Sequence, residues 1–280
     1  MTIPHSPSCA DYLLASATDR DRLFIQFELF RGPFYESLDH ALELARVNTS
    51  TPWRALDVAC GEGLYTADLA DRHPAASVVG FDRDAEAIAT ARAAFAERPR
   101  SSFHLADVHE PLGPVVGTGF DIAFAECGLA HFKNGPLALQ HIYEVLRPGG
   151  AAMLLDPTER MFEYPHPSLA PLRKAIADAW GNFGTFAAAD RHAELLAAAG
   201  FVNITTKPQD YVVGGPTPKG QSDFRLIVEL LRSMRPSLVE RARTISAADF
   251  DELFQQFCAA NDGHLEGCYW FRRAIARKPA

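Results

Sequence analysis

The sequence predicts an α/β fold, a mostly parallel sheet with helices on both faces. Three observations lead there. Between residues 53 and 156 apolar segments at about 54–58, 77–81, 101–106, 120–125 and 151–155 alternate with helical ones. Those segments are continuous apolar runs, the pattern of strands buried on both faces. The first, Ala55 to Val58, runs into a small-residue turn (Ala59, Cys60, Gly61, Gly63), and the second, Ser77 to Phe81, ends in Asp82.

Taken in order, the first 50 residues read as helices laid before the sheet. Asp11 to Ala17 is short. Thr18 or Asp19 can cap a helix through Phe30, with Leu23, Phe24, Phe27 and Phe30 at helical spacing. Gly32-Pro33 is expected to break it, and Phe34 to Val47 makes the next helix on Leu38, Leu42 and Ala45. Leu64–Arg72 and Asp84–Glu97 are helical, the latter burying Ile88, Ala91 and Phe95. Asn134 caps a helix from Gly135 to Leu146, with Pro136 in its first turn and Arg147-Pro148-Gly149-Gly150 ending it. After Asp156 the pattern loosens, because four prolines from Pro157 to Pro171 forbid regular structure. Leu172 to Trp180 and Ala187 to Ala199 are helical, and Gly200 stops the second. Phe201 to Thr206 is a strand that Tyr211-Val-Val can continue, and Gly214 to Gly220 is a loop. Residues 222–242 and 247–260 are helical, and Gly267 to Lys278 is the last strand.

Strand, tight turn, helix, strand and acid follow in the order of a nucleotide-binding crossover. The glycines allow positive φ and let the backbone lie against a flat ligand. Asp82, 19 residues beyond Gly63, stands where a carboxylate can take both hydroxyls of a ribose. The turn carries Asp57 and Glu62, and no Lys or Arg lies between Ala55 and Asp71. Two carboxylates would oppose a pyrophosphate, which seeks free N–H groups and positive dipole. The third glycine of G-x-G-x-x-G is missing too, since Thr66 stands there. A ligand with an adenine, a ribose and a cationic end suits the turn better. S-adenosylmethionine has a sulfonium and an ammonium and no phosphate. A nicotinamide or flavin nucleotide is the rival reading.

Leu56 to Gly63 resembles the first motif of the class I S-adenosylmethionine-dependent methyltransferases of the small-molecule type, with Ala59 where glycine is commoner. Val79 to Asp82 is similar to their ribose-binding second motif. Phe103 to Val108 is similar to the third, whose acid contacts the adenine amino group. Phe120 to Glu126 fits their fourth strand, and Val145 to Gly150 the turn before the fifth. The resemblance implies a Rossmann-like sheet of seven strands, mostly parallel with the last antiparallel, for which Cys268 to Arg277 is the candidate. It implies S-adenosyl-L-methionine as cofactor, with S-adenosyl-L-homocysteine as product. The cofactor would be held by Asp57, Ala59, Cys60, Gly61, Gly63, Asp82, Arg83, Asp107, Val108 and Glu126. Residues matching Tyr12, Arg22 and Gln26 would approach it from an N-terminal lid. An amphipathic helix with its polar residues in water is the plainer reading of that lid. Asp107 can instead cap the turn through His109. We therefore expect a helical lid in residues 1–50 and the cofactor-binding core in 51–160. Residues 161–280 would complete the sheet, with a helical insertion at 220–262 capping the substrate.

Methyl transfer from a sulfonium is an in-line displacement with a good leaving group, so alignment and exclusion of water matter most. A base helps only when the acceptor is a weakly acidic hydroxyl or a protonated amine. His131 and Glu126 follow the fourth strand and are the catalytic candidates; a packing or hydrogen-bonding role is the alternative for His131, and Cys127 reads as small apolar filler. His166, Trp180, Phe183, Phe186, His192, His264 and Tyr269 could line an acceptor pocket. With 19 phenylalanines in the chain, the acceptor is expected to be a small apolar or aromatic molecule methylated at oxygen, nitrogen or carbon. A protein that binds the cofactor without transferring its methyl, such as a cyclase, is the alternative. Hydrophobic residues make up 48% and charged ones 22%, which supports a large core. A net charge of −8 discourages nucleic-acid and anionic-lipid partners. No membrane-length apolar run and no signal-like start occur, so a cytoplasmic location is expected. Five scattered cysteines without C-x-x-C spacing indicate neither disulfides nor a zinc site, and no metal is expected. A homodimer is left open.

Overall fold

Five parallel strands carry the fold: β1 (Trp53–Val58), β2 (Ala76–Asp82), β3 (Ser101–Leu105), β4 (Phe120–Glu126) and β5 (Leu146–Pro157). The computed structural model describes residues 20–161, 163, 165–185 and 187–280. The short helix expected at Asp11 to Ala17, together with Tyr12, lies outside the described residues. So does Phe186. Beyond β5 come β6 (Val202–Pro208), the short β7 (Tyr211–Gly214) and β8 (Glu266–Tyr269), and β9 (Phe271–Arg277). The main sheet has seven strands in the order β3-β2-β1-β4-β5-β9-β6, and β9 runs antiparallel to both its neighbours. Strand order reverses between β1 and β4, which opens a crevice at their carboxyl ends, the usual ligand position in such sheets.

Alternate residues of each strand feed two cores. Ala123 and Ala125 of β4 join Leu56, Val58 and Phe81 on one face, against Leu139 and Ile142 of α5 (Gly135–Val145). Ile122 and Phe124 join Ala55, Val78 and Met153 on the other. That second face is covered by α1 (Arg20–Leu44) and α2 (Leu64–Arg72) through Phe34, Leu38, Leu69 and Ala70. The other crossover helices are α3 (Ala85–Ala94), whose N-terminus Asp84 caps by accepting from the Glu86 and Ala87 amides, and the short α4 (Gly113–Val116). Asn134 caps α5 as the sequence indicates, its Oδ1 accepting from the Leu137 amide at 3.1 Å.

The structure corrects four expectations. Gly32-Pro33 does not break the first helix: α1 runs through Pro33 to Leu44. An interior proline costs about 3 kcal/mol. Burying Phe30, Phe34 and Leu38 completely on one continuous face returns about 2 kcal/mol each, so packing wins. Arg147-Pro148-Gly149-Gly150 is not a turn before the fifth strand but a bulge within it. Phe120 pairs with Leu146 and Ile122 with Ala151, so the residues between loop out, with Gly149 at φ 77°. Tyr211 to Gly214 does not continue β6, because β7 pairs with β8 in a separate two-stranded sheet. The final strand is correspondingly split at Trp270 into β8 and β9.

The helices of the C-terminal part are α6 (Leu169–Trp180), α7 (His192–Ala198), α8 (Pro218–Pro236) and α9 (Ala247–Ala259). α6 starts three residues earlier than expected, with Pro171 in its first turn, where a missing N–H costs nothing. A π-helical turn, Ser237–Arg241, follows α8. Among the described residues no helix is long and apolar enough to cross a membrane.

Candidate cofactor and acceptor site

A cavity of about 700 Å³ opens at the carboxyl ends of β1, β2 and β4. Its floor is the turn after β1. Ala59, Gly61 and Gly63 all have positive φ (57°, 52° and 81°), so the chain curls tightly before α2 starts. Ala59 accepts this conformation despite its Cβ, at a cost of about 1–2 kcal/mol. At Gly61, among the described residues, no atom beyond its chain neighbours lies within 4 Å of where a Cβ would stand, so the backbone there is bare to a ligand. Gly63 is different. It does not line the cavity; a Cβ there would sit 2.3 Å from the Phe103 ring, so glycine serves packing.

Two aspartates face this turn. Asp57, at the end of β1, is buried and accepts from the Thr66 hydroxyl at 2.6 Å. Burial, with the charges of Glu126 and Asp82 nearby, pushes its carboxyl up to about 7, against the Thr66 hydrogen bond. Asp82, at the end of β2, accepts from the Gly61 amide at 2.9 Å through Oδ2 and from the Asp84 amide at 2.9 Å through Oδ1. Burial raises its carboxyl also. Each Asp82 oxygen keeps a second lone pair beyond these bonds.

Beyond β3, Asp107 and Val108 line the cavity. Asp107 also caps the turn through His109, so both readings of it hold geometrically: Oδ1 accepts from the His109 amide at 2.9 Å and lies 2.8 Å from Nδ1. Of the N-terminal residues, Gln26 lines the cavity and donates to the Cys127 sulfur at 3.6 Å, while its Oε1 accepts from Arg22 at 2.8 Å. Arg22 is buried at the same wall, and Arg83 lines it from the β2 end. Along the same helix Leu23 and Phe27 line the cavity, Phe30 packs in the core and Phe24 is exposed.

At the end of β4, Glu126 lines the cavity but is held by the Arg273 guanidinium in a two-pronged pair, with Nη2 to Oε2 at 3.0 Å; both side chains are buried. Burial pushes the Glu126 carboxyl up and Arg273 pulls it back. Cys127 follows with φ 62°, and burial lifts its thiol well above the usual range. His131 sits in a 3₁₀ turn, Leu129–His131, stacked on Trp180 with ring centroids 5.9 Å apart and planes at 18°. Burial and the charges of Arg22 and Arg83 bring its imidazole down to about 3, so it is neutral at physiological pH.

The turn holding His131 is clamped from both sides. The Asp156 carboxylate takes the Ala130 amide at 2.8 Å, and itself lies 2.9 Å from His192 Nε2. The Trp180 indole N–H and the Thr185 amide both donate to the Ala130 carbonyl, at 2.8 and 3.0 Å. Gly184 is needed there, since a Cβ would meet that carbonyl oxygen at 2.0 Å.

Of the acceptor-pocket candidates, Trp180 and Tyr269 line the cavity; His166, Phe183, His192 and His264 do not. The wall is completed by Phe132, Met161, Leu230 and Met234, with Tyr65 deeper in. Sequence reasoning missed these, because helical spacing marks Leu230 and Met234 only as a buried face of α8, and nothing local says what that face meets. Among the described residues no cluster of His, Cys, Asp and Glu is arranged to hold a metal ion.

Residues 55–150 match the model of a methyltransferase domain family. A curated relative, the trans-aconitate 2-methyltransferase of Deinococcus radiodurans, is 30% identical over 176 residues, covering 60% of this chain and 65% of the relative. The demethylmenaquinone methyltransferase of Chlorobaculum parvum is 28% identical over 141 residues, 45% of this chain and 56% of the relative. The chain thus spans less than two thirds of these relatives' lengths. Among solved structures, the [4+2]-cyclase SpnF shares the fold, with a TM-score of 0.54, 21% identity, and coverage of 86% of this chain and 79% of that one. Over residues 55–150 the chain is thus similar to a methyltransferase domain of the kind that takes S-adenosylmethionine as its cofactor.

The residues present fit that cofactor. Asp57 and Asp82 offer carboxylates to an ammonium and a ribose diol, the bare backbone at Gly61 leaves room, and Arg22 supplies positive charge for a carboxylate. The Tyr65 hydroxyl is buried at the cavity with no hydrogen-bond partner among the described residues.

Proposed function

We propose that the protein is a methyltransferase that moves the methyl group of S-adenosylmethionine to a small organic molecule with an apolar or aromatic body. One observation carries this reading: the acid-lined cofactor end and a wall of Phe132, Met161, Trp180, Met234 and Tyr269 belong to one continuous cavity. An acceptor lying against that wall is within reach of the cofactor's methyl group. When bound, the cofactor supplies a sulfonium whose carbon–sulfur bond breaks as the acceptor's lone pair takes the methyl carbon.

The chain's own residues hold, orient and shield. Asp82 takes the ribose hydroxyls, Asp107 and Val108 the adenine edge, and Asp57 the cationic amino end. Ala59, Cys60 and Gly61 form the turn that the nucleoside lies against, with Arg83 and Gln26 at its rim. Glu126, matched by Arg273, positions the end of β4 more than it takes protons. His131, neutral and stacked on Trp180, is the acceptor-side residue that can hydrogen-bond an acceptor hydroxyl; held near 3, its imidazole is too weak a base to take the proton. The helices between β7 and β8 act as the substrate cap, with Leu230 and Met234 of α8 reaching the cavity, and α1 closes the other side with Leu23 and Phe27.

A polycarboxylate such as trans-aconitate suits the acceptor wall less well than an apolar ring, because every residue in that wall named above is apolar or aromatic. The test is production of S-adenosylhomocysteine on incubation with a panel of phenols, quinols, aromatic amines and polycarboxylates. Turnover of flat apolar members is expected. Turnover of the polycarboxylates alone overturns the acceptor class, and cofactor binding without turnover of any member favours a non-transferring protein.

A further inference from the structure

His109 stands outside the motifs that drew attention to the cavity, yet it lies in the cavity wall with both ring nitrogens committed. Its Nε2 is 3.2 Å from the Asn134 amide, and that contact can only be an N–H donating to the ring. Nε2 is therefore the unprotonated nitrogen, and Nδ1 carries the hydrogen that points at Asp107 Oδ1, 2.8 Å away. The His109 amide donates to the same oxygen. Both donors act on Oδ1, so Oδ2 accepts no hydrogen bond among the described residues, and Asp107 lines the cavity. Asn134 is itself fixed, because its side chain caps α5. The ring packs edge-on against Phe132, with centroids 6.2 Å apart, which limits its rotation.

We propose that His109 is a positioning residue for cofactor specificity, turning the free oxygen of Asp107 toward the 6-amino group of the adenine. The inference rests on the reading of the cavity as an S-adenosylmethionine site with Asp107 at the base. A carboxylate free to rotate would share its oxygens between solvent and ligand. One tethered at Oδ1 offers Oδ2 in a single direction, so the bond to the amino group loses less freedom on forming. The His109 hydrogen bond also holds the Asp107 carboxyl below its usual range, which keeps it an acceptor.

The test compares two probes, S-adenosylhomocysteine and its analogue with purine in place of adenine, which lacks only the 6-amino group. Calorimetric affinities for both are measured on the wild-type protein and on His109→Leu, His109→Asn and His109→Gln. A hydrogen bond to a charged group sets the wild-type preference for adenine at roughly ten- to a hundredfold. His109→Leu keeps the backbone tether to Oδ1 and is expected to lower that ratio by about three- to tenfold, the cost of freeing one side-chain rotor. His109→Asn keeps it, because the asparagine amide nitrogen occupies the branch position of Nδ1. His109→Gln, whose nitrogen falls nearer Nε2, does not. The contrast between Asn and Gln decides the matter even where the Leu variant fails to fold. An unchanged ratio in both Leu and Gln variants, with the two affinities falling together, makes His109 merely structural and overturns the inference. Wild-type protein that binds the homocysteine compound but ignores the amino group also overturns it. Failure to bind S-adenosylhomocysteine at all overturns the proposed function itself, and this inference with it.

Discussion

Glu126 and Arg273 meet as a buried two-pronged ion pair that ties the carboxyl end of β4 to the antiparallel strand β9 across β5. The guanidinium's remaining Nε donates to Gln209 at 3.1 Å. Breaking one half of such a pair strands the other without a counter-charge, which costs about 3–5 kcal/mol. Arg273→Met is therefore expected to destabilise by that amount in urea denaturation. Adding Glu126→Gln should recover part of the loss. Single and double variants of equal stability would show that the pair is not coupled.

Asp57 makes cofactor affinity depend on pH. Its carboxyl is pushed up to about 7 chiefly by burial. Below that pH it carries a proton that an incoming ammonium must displace. Affinity for S-adenosylhomocysteine is expected to weaken by up to tenfold per pH unit below 7 and to level off above it. Asp57→Asn should bind more weakly and lose the slope. Stability of the empty protein runs the other way. A carboxyl whose folded pKa is raised stabilises while protonated, and that contribution is lost as pH rises through about 7. The ligand's stabilising effect should accordingly grow between pH 6 and pH 8.

The three turn positions after β1 should separate stability from binding. Gly63→Ala forces a Cβ against Phe103 at positive φ and is expected to cost several kcal/mol, on the order of an overpacked core site plus backbone strain. Gly61→Ala meets no protein atom, so its stability cost is the strain alone, about 1–2 kcal/mol, and its larger effect falls on cofactor affinity. Ala59→Gly relieves left-handed strain and should raise the denaturation midpoint slightly. Equal effects of the two alanine substitutions on both readouts would count against this division of labour.

Trp180 is expected to matter through its N–H as well as its bulk. Trp180→Phe keeps an aromatic ring beneath His131 but removes the donor to Ala130. The Thr185 amide still satisfies that carbonyl, so the loss should be about 1–2 kcal/mol, against about 3–5 for Trp180→Ala. Affinity for S-adenosylhomocysteine should stay within about threefold in Trp180→Phe, because the clamp serves the acceptor side. A collapse of cofactor affinity would place Trp180 in the wrong half of the cavity.

The parallel half of the sheet was legible because its signals are local. Apolar runs, a glycine turn, Asp84 and Asn134 as caps, and Asp82 at a strand end each announce themselves within a few residues. What failed was decided at long range. Pro33 looks like a helix end, but Phe34 and Leu38 keep the helix going by packing on a sheet far along the chain. The Pro148-Gly149-Gly150 segment reads as a turn, and only the pairing of Leu146 with Phe120 and of Ala151 with Ile122 on either side, with the Gly149 amide donating to the Lys278 and Pro279 carbonyls, makes it a strand bulge. β7 and β8 pair across more than 50 residues, which no alternation pattern reports. The same holds for the site. Asp57 and Asp82 could be read from their motif, whereas Met161, Leu230 and Met234 meet only in space.

The central claim is that Asp82 grips the ribose of S-adenosylmethionine in this cavity, and calorimetry of S-adenosylhomocysteine with the wild-type protein and Asp82→Ala tests it most directly. Wild type should bind, NADH should give no binding heat, and the variant should lose roughly a hundredfold in affinity with the loss of hydrogen bonds to a charged group. Binding of NADH instead, or an Asp82→Ala affinity within threefold of wild type, would contradict it.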